Sequence, residues 1–216
     1  MILREFISAL ATVSTIGLYL TGIPICRKIV AKGSTQDTSF FPLIVMFCNT
    51  TLWVKYALIK DDPTLLYANS VGSVLTFIYV SIYYLYTTHK THVHRNLAFG
   101  AFLLFPILIY VKFYADNLDD AVLYLGFVCS SVGVMGYGAP LSAMSEVLRT
   151  KSTECMAFPL SLANFIVAIE WFSYGFLLRD FYIQVPNLIG IFLGGLQLAL
   201  FWKYPSKKQT TASAVL

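Results

Sequence analysis

The stretch FFPLIVMFCNTTLWVKY, residues 40–56, reads as a membrane helix with two faults in it. It is apolar for most of its length, yet Pro42 near its start deletes a backbone donor and crowds the preceding turn. Asn49 places an amide at its middle, where lipid offers no hydrogen-bond partner. An idle lipid anchor would carry neither. The pattern returns at residues 158–174, FPLSLANFIVAIEWFSY. Phe158-Pro159-Leu160 answers Phe41-Pro42-Leu43, and Trp171-Phe172-Ser173-Tyr174 answers Trp53-Val54-Lys55-Tyr56.

The repetition runs outward in both directions. Gly22-Ile23-Pro24 pairs with Gly138-Ala139-Pro140. Asp62 then pairs with Asp180, Asn69 with Asn187, Gly72 with Gly190 and Tyr86 with Tyr204, at an offset that rises from 116 to 118. Two single-residue insertions account for the drift. Such internal similarity constrains the architecture more than any single motif.

The 216-residue chain is 57% hydrophobic and 12% charged, with mean hydropathy +0.70. An ordinary soluble domain does not have that composition. Residues 6–26, 38–54, 63–88, 96–111, 121–145 and 181–202 are free of Asp, Glu, Lys and Arg, and 155–178 is interrupted only by Glu170. A span needs about 20 mostly apolar residues, roughly 17–25, so seven spans are expected, the fourth the shortest. The expected fold is an all-α membrane protein of seven transmembrane helices, arranged as two parallel three-helix bundles joined by a linking helix (3+1+3). Residues 6–88 form the first repeat, 96–115 the linking helix, 121–204 the second repeat and 205–216 a short, disordered cytosolic tail. Three spans are an odd number, so two copies joined directly would insert in opposite senses; one extra crossing makes them parallel. The first 22 residues could be read as a signal peptide, but the repeat needs them as its first helix.

Charge sets the expected orientation. With the N-terminus extracellular or lumenal and the C-terminus cytosolic, ten of the fifteen basic residues fall on the inner side, among them Arg27, Lys28, Lys90, Arg149 and Lys203. Lys207-Lys208 then reads as an anchor to acidic lipid. The formal charge of +4 follows from this orientation and not from nucleic-acid binding, which would need exposed basic surface. Cys26, Cys48, Cys129 and Cys155 lack C-x-x-C spacing and read as structural thiols. His89, His92 and His94 have no Cys or carboxylate near them in sequence, so no metal site is expected. No nucleotide motif or nucleophile constellation suggests an enzyme, and no cofactor is expected.

Taken together, GIP/GAP, FFPL/FPL, the doubled W-x-x-Y and the closing N-x-x-G resemble the SWEET sugar transporters of the animal branch, the MtN3/saliva type, from about Leu10 to Pro205. SWEETs are a known case of parallel repeats. The resemblance implies facilitative transport of mono- and disaccharides by two bundles in spatial order 1-3-2. It makes Pro24, Pro42, Pro140 and Pro159 the four hinge prolines and Asn69 and Asn187 the substrate-binding asparagines. Trp53 and Trp171 become the pocket-lining pair, with Tyr56, Tyr174 and Asp180 at the outer gate.

The chemistry suits that assignment. Asparagine donates and accepts, so it meets a sugar hydroxyl in either sense, and an indole face complements the C–H face of a pyranose. Asn49 is either pocket wall or helix–helix contact, as is Asn164 near the corresponding place in the second half. The acid Glu170, inside a span, is a functional candidate by default, with proton coupling open to it and Lys55 as its candidate partner; Lys55 could instead snorkel outward. The expected function is a uniporter of mono- or disaccharides, glucose-like hexoses first, working by alternating access in the lipid bilayer. The plasma membrane is the expected location, with the Golgi or another endomembrane as the alternative, and a homo-oligomer is left open. The competing readings are an amino-acid exporter of the PQ-loop type, which lacks its naming glutamine here, and a seven-helix receptor, which needs no repeat around an odd linker.

Overall fold

Four residues with positive φ show how the chain repeats itself. In the computed structural model, which describes residues 2–204, Gly33 (φ 63°) and Lys151 (φ 56°) end matching helices, and Asp61 (φ 51°) and Arg179 (φ 54°) end another matching pair. A non-glycine residue in the left-handed region costs about 1–2 kcal/mol, and the chain adopts it at Asp61 and again at Arg179.

Among the described residues there are nine helices: α1 (Ile2–Leu20), α2 (Gly22–Lys32), α3 (Phe41–Lys60), α4 (Pro63–Tyr86), α5 (Lys90–Phe113), α6 (Leu118–Met135), α7 (Gly138–Thr150), α8 (Phe158–Leu178) and α9 (Phe181–Lys203). They make seven stretches long and apolar enough to cross a bilayer, because α1–α2 and α6–α7 are each one span broken in the middle. The protein is an integral, multi-pass membrane protein. The fourth stretch begins at Lys90 and not at 96, and ends at Phe113 and not at 115. His92, His94 and Arg95 lengthen it as a polar first turn and a half ahead of its apolar part. The expected tail at 205–216, with Lys207-Lys208, lies outside the described residues.

The prolines fall into two kinds. Pro24 and Pro140 are the third residues of α2 and α7, immediately after the two breaks. There the Thr21 N–H and hydroxyl both turn to the Leu18 carbonyl, at 3.1 and 2.6 Å, and the Tyr137 N–H turns to Val134 O at 3.0 Å. Pro42 and Pro159 sit in the first turn of α3 and α8, where the N–H has no helical acceptor to lose. Pro42 therefore removes no ladder bond; Pro24 and Pro140, third in their helices, also fall among the first four N–H positions, and differ in following a break within a span.

α4 packs against both α1–α2 and α3, and α9 packs against both α6–α7 and α8. Across the molecule α1 meets α8 and α3 meets α6, while α5 lies against α3 and α6.

Candidate substrate cavity

The two tight turns bring four side chains into one seal. Asp62 caps α4, its Oδ1 accepting from Leu65 N at 3.0 Å, and Asp180 caps α9, its Oδ1 accepting from Tyr182 N at 3.0 Å. Each aspartate also takes a tyrosine hydroxyl from the opposite half. Tyr56 donates to Asp180 Oδ2 at 2.7 Å, and Tyr174 donates to the two oxygens of Asp62 at 2.9 and 3.0 Å. Lys60 Nζ adds an ion pair to Asp180 at 3.4 Å. Both tyrosines are fully buried, so this end of the molecule is shut. Helix N-termini favour negative charge, which lets carboxylates sit buried here. Asp62 was visible in the sequence only as a repeat partner, and the structure makes it the hydrogen-bond mate of Tyr174.

Beneath the seal lies a cavity of about 420 Å³, within the roughly 300–1,000 Å³ usual for small-ligand sites. Trp53 and Trp171 are one turn below the gate tyrosines, each set edge-on to its own tyrosine, at 5.3 and 5.6 Å between ring centres. Both line the cavity, as do Asn69 and Asn187. The two amides are held alike: Asn69 Nδ2 donates to Leu65 O at 2.9 Å, and Asn187 Nδ2 donates to Ile183 O at 2.7 Å. Each bond runs four residues back along its own helix, and Asn69 Oδ1 also accepts from the Tyr19 hydroxyl at 3.4 Å. Trp171 Nε1 is fixed by Thr15 Oγ1 at 2.7 Å. Asn49, Asn164 and Pro140 also line the same space. Asn49 Oδ1 is buried there without a hydrogen-bond partner.

The opposite end differs. Pro24, Pro42 and Pro159 are exposed, and Pro140, which lines the cavity, is half-buried. No Asp, Glu, Lys or Arg lines the cavity among the described residues. Glu170 stands outside it. Its carboxylate accepts from Ser14 Oγ at 3.2 Å and pairs with no lysine, and its second oxygen is buried without a partner. Lys55, the expected partner, makes no ion pair with it among the described residues.

Two tyrosines on the cavity wall escaped the sequence reading. A side chain at Gly72 would strike the Tyr19 ring at 2.4 Å, and one at Gly190 would strike the Tyr137 hydroxyl at 2.4 Å. Tyr19 donates to Asn69 Oδ1 at 3.4 Å, and Tyr137 donates to Pro186 O at 2.8 Å. Glycine is needed at both places because a tyrosine lies directly on the helix. The signal was present in the sequence, since Tyr19 and Tyr137 stand at the same offset as Asn69 and Asn187.

Comparison with known proteins agrees with this doubled construction. A family profile described as "Sugar efflux transporter for intercellular exchange" matches twice, at residues 5–91 and 123–209. Sugar transporter SWEET1 of Drosophila pseudoobscura pseudoobscura is 36% identical over 204 residues, covering 94% of this chain and 90% of that one. The chain belongs to the SWEET family. SWEET1 of Rattus norvegicus is 34% identical over 209 residues, covering 95% and 93%. A solved eukaryotic SWEET transporter superposes with a TM-score of 0.83 at 24% identity, covering 94% of this chain and 98% of that one, so the all-helical SWEET fold is shared.

Proposed function

We propose that this SWEET-family chain is a facilitative carrier of sugars, glucose-like hexoses first, working as a uniporter by alternating access. The observation that carries the reading is one uncharged cavity between the halves, walled by an asparagine and a tryptophan from each. The two three-helix units, 6–88 and 121–204, rock about it, with α5 linking them. Asn69 and Asn187 hold hydroxyls at opposite edges of a ring while Trp53 and Trp171 cover its C–H faces. Tyr56, Tyr174 and Asp180, with Asp62, close the outer gate. Pro24 and Pro140 provide the bends, and Pro42 and Pro159 fix where their partner helices start. The orientation that puts the basic loops in the cytosol makes the shut end extracellular, so the conformation described faces inward. The plasma membrane is the proposed location.

The uncharged lining also weighs against an amino-acid exporter. A free amino acid carries an ammonium and a carboxylate, and taking them from water without charged partners is costly. A sugar asks only for neutral hydrogen bonds. Binding should be weak, since millimolar dissociation corresponds to about −4 kcal/mol and release must be fast. The test is uptake of radiolabelled D-glucose into proteoliposomes without any ion gradient. Net uptake driven by the glucose gradient alone supports uniport; strict dependence on a proton gradient rejects it and brings Glu170 forward.

A further inference from the structure

We propose a second sugar-binding level in the cavity, on the proline side of the asparagine–tryptophan level, built by Gln197 and Asn164 to take one pyranose ring. The inference rests on the sugar reading and assigns a subsite that the repeat does not contain.

Asn187, Gly190, Gly194 and Gln197 all line the cavity and follow one another along α9 at steps of three or four residues, which puts them on one face. Ten residues of helix separate the two amides by about 15 Å. On antiparallel α8, Asn164 lies seven residues, or about 10 Å, to the same side of Trp171. The two helices are in register at both depths. A side-chain carbon at Gly190 would lie 3.1 Å from Ala168 Cβ, and one at Gly194 would lie 3.1 Å from Phe165 Cβ. Trp171 therefore shares a level with Asn187, and Asn164 and Gln197 both lie deeper, within about one helical turn of each other.

Gln197 is only 8% exposed, yet its side-chain amide makes no hydrogen bond to another described residue, and that of Asn164 makes none either. Leaving a buried amide without a partner costs about 1–3 kcal/mol. Facing the cavity, the two amides match the donors and acceptors of a ring's hydroxyls. The first half places no amide at the corresponding positions. Gln197 corresponds to Tyr79, which donates to Tyr19 O at 2.9 Å, and Asn164, seven residues before Trp171, corresponds to Met46, seven before Trp53. The second level is confined to the second half and breaks the symmetry of the path.

The ring it takes belongs either to a disaccharide whose other ring sits between the tryptophans or to a monosaccharide on its way to the inner mouth. Titration of the purified full chain with D-glucose and with maltose separates these. In the first case maltose binds at least fivefold tighter than glucose, and Gln197→Met and Asn164→Leu each cut that advantage threefold or more while glucose affinity stays within twofold. In the second case maltose has no advantage, but glucose shows two sites, and the weaker is lost in both variants. A single glucose site without a maltose advantage, or either signature persisting unchanged in both variants, overturns the proposal. Retained glucose affinity is the control for folding, and Asn164→Leu, at an exposed position, carries the test if Gln197→Met fails to fold. Wild-type protein that binds neither sugar overturns the sugar reading itself, a different result from a single intact site.

Discussion

The hydroxyl of Tyr56 lies 2.7 Å from Oδ2 of Asp180, an aspartate that also caps α9 through its other oxygen. Tyr174 and Asp62 repeat the arrangement with the halves exchanged. Asp180 thus has one oxygen on its own helix and the other on Tyr56, whereas Tyr174 reaches both oxygens of Asp62, the capping one included. Under the proposed alternating access, opening the seal would leave each carboxylate on its helix N-terminus and give up the cross-half bonds to water.

Asn caps a helix about as well as Asp, whereas Ala loses about 1 kcal/mol. Asp180→Asn should therefore keep the fold's thermal stability while losing the Lys60 ion pair and the charged acceptor for Tyr56. Asp180→Ala should lose both functions and melt earlier. Hydrogen exchange at the Tyr182 and Ile183 amides separates the two: faster in Asp180→Ala and near wild type in Asp180→Asn.

Gly190→Ala forces a methyl onto the Tyr137 hydroxyl, with the next ring carbon at 3.2 Å. Gly72→Ala forces one onto the ring carbons of Tyr19, at 2.4 and 2.6 Å. Overpacking of this kind costs roughly 1–3 kcal/mol. Adding Tyr137→Phe should restore much of the stability of Gly190→Ala, because it removes the clashing atom. Tyr19→Phe should not restore Gly72→Ala, because the ring remains. Thermal melts of the single and double variants check both.

Asp37, in the loop between α2 and α3, has its carboxyl held below the usual carboxylate range by a hydrogen bond from Lys32 and the charges of Lys32 and Lys28. The tether is fully present above the unfolded-state value and is lost as pH falls through the lowered folded value. Tryptic cleavage after Lys32 at neutral pH should be faster in Asp37→Asn than in wild type. Amide exchange in the wild-type loop, corrected for its intrinsic rate, should approach that of the variant only in acid.

The seven spans were legible because charges are absent from them, and the repeat because its motifs stand twice in register. Trp53, Trp171, Asn69 and Asn187 were legible for the second reason, and they do line one cavity. Tyr19 and Tyr137 were not. Tyr19 lies three residues before Gly22, whereas Tyr137 directly precedes Gly138, so the motif at the helix break draws the eye to an offset of 116 where the tyrosines follow 118. The start of α5 was missed because its polar first turn lies outside any apolar window. Nor does sequence distance say which way Glu170 turns; packing of α1 on α8 sets it on Ser14 and away from Lys55.

The most direct test is radiolabelled D-glucose uptake into proteoliposomes by wild type, Asn69→Ala and Asn187→Ala at equal incorporation. Losing a placed amide from a dehydrated site costs about 1–3 kcal/mol. The matched hold on the two asparagines predicts a drop of about fivefold or more in both variants, at about 1.4 kcal/mol per tenfold. Flux unchanged in either variant, with the protein folded and inserted, would contradict a site shared between the halves.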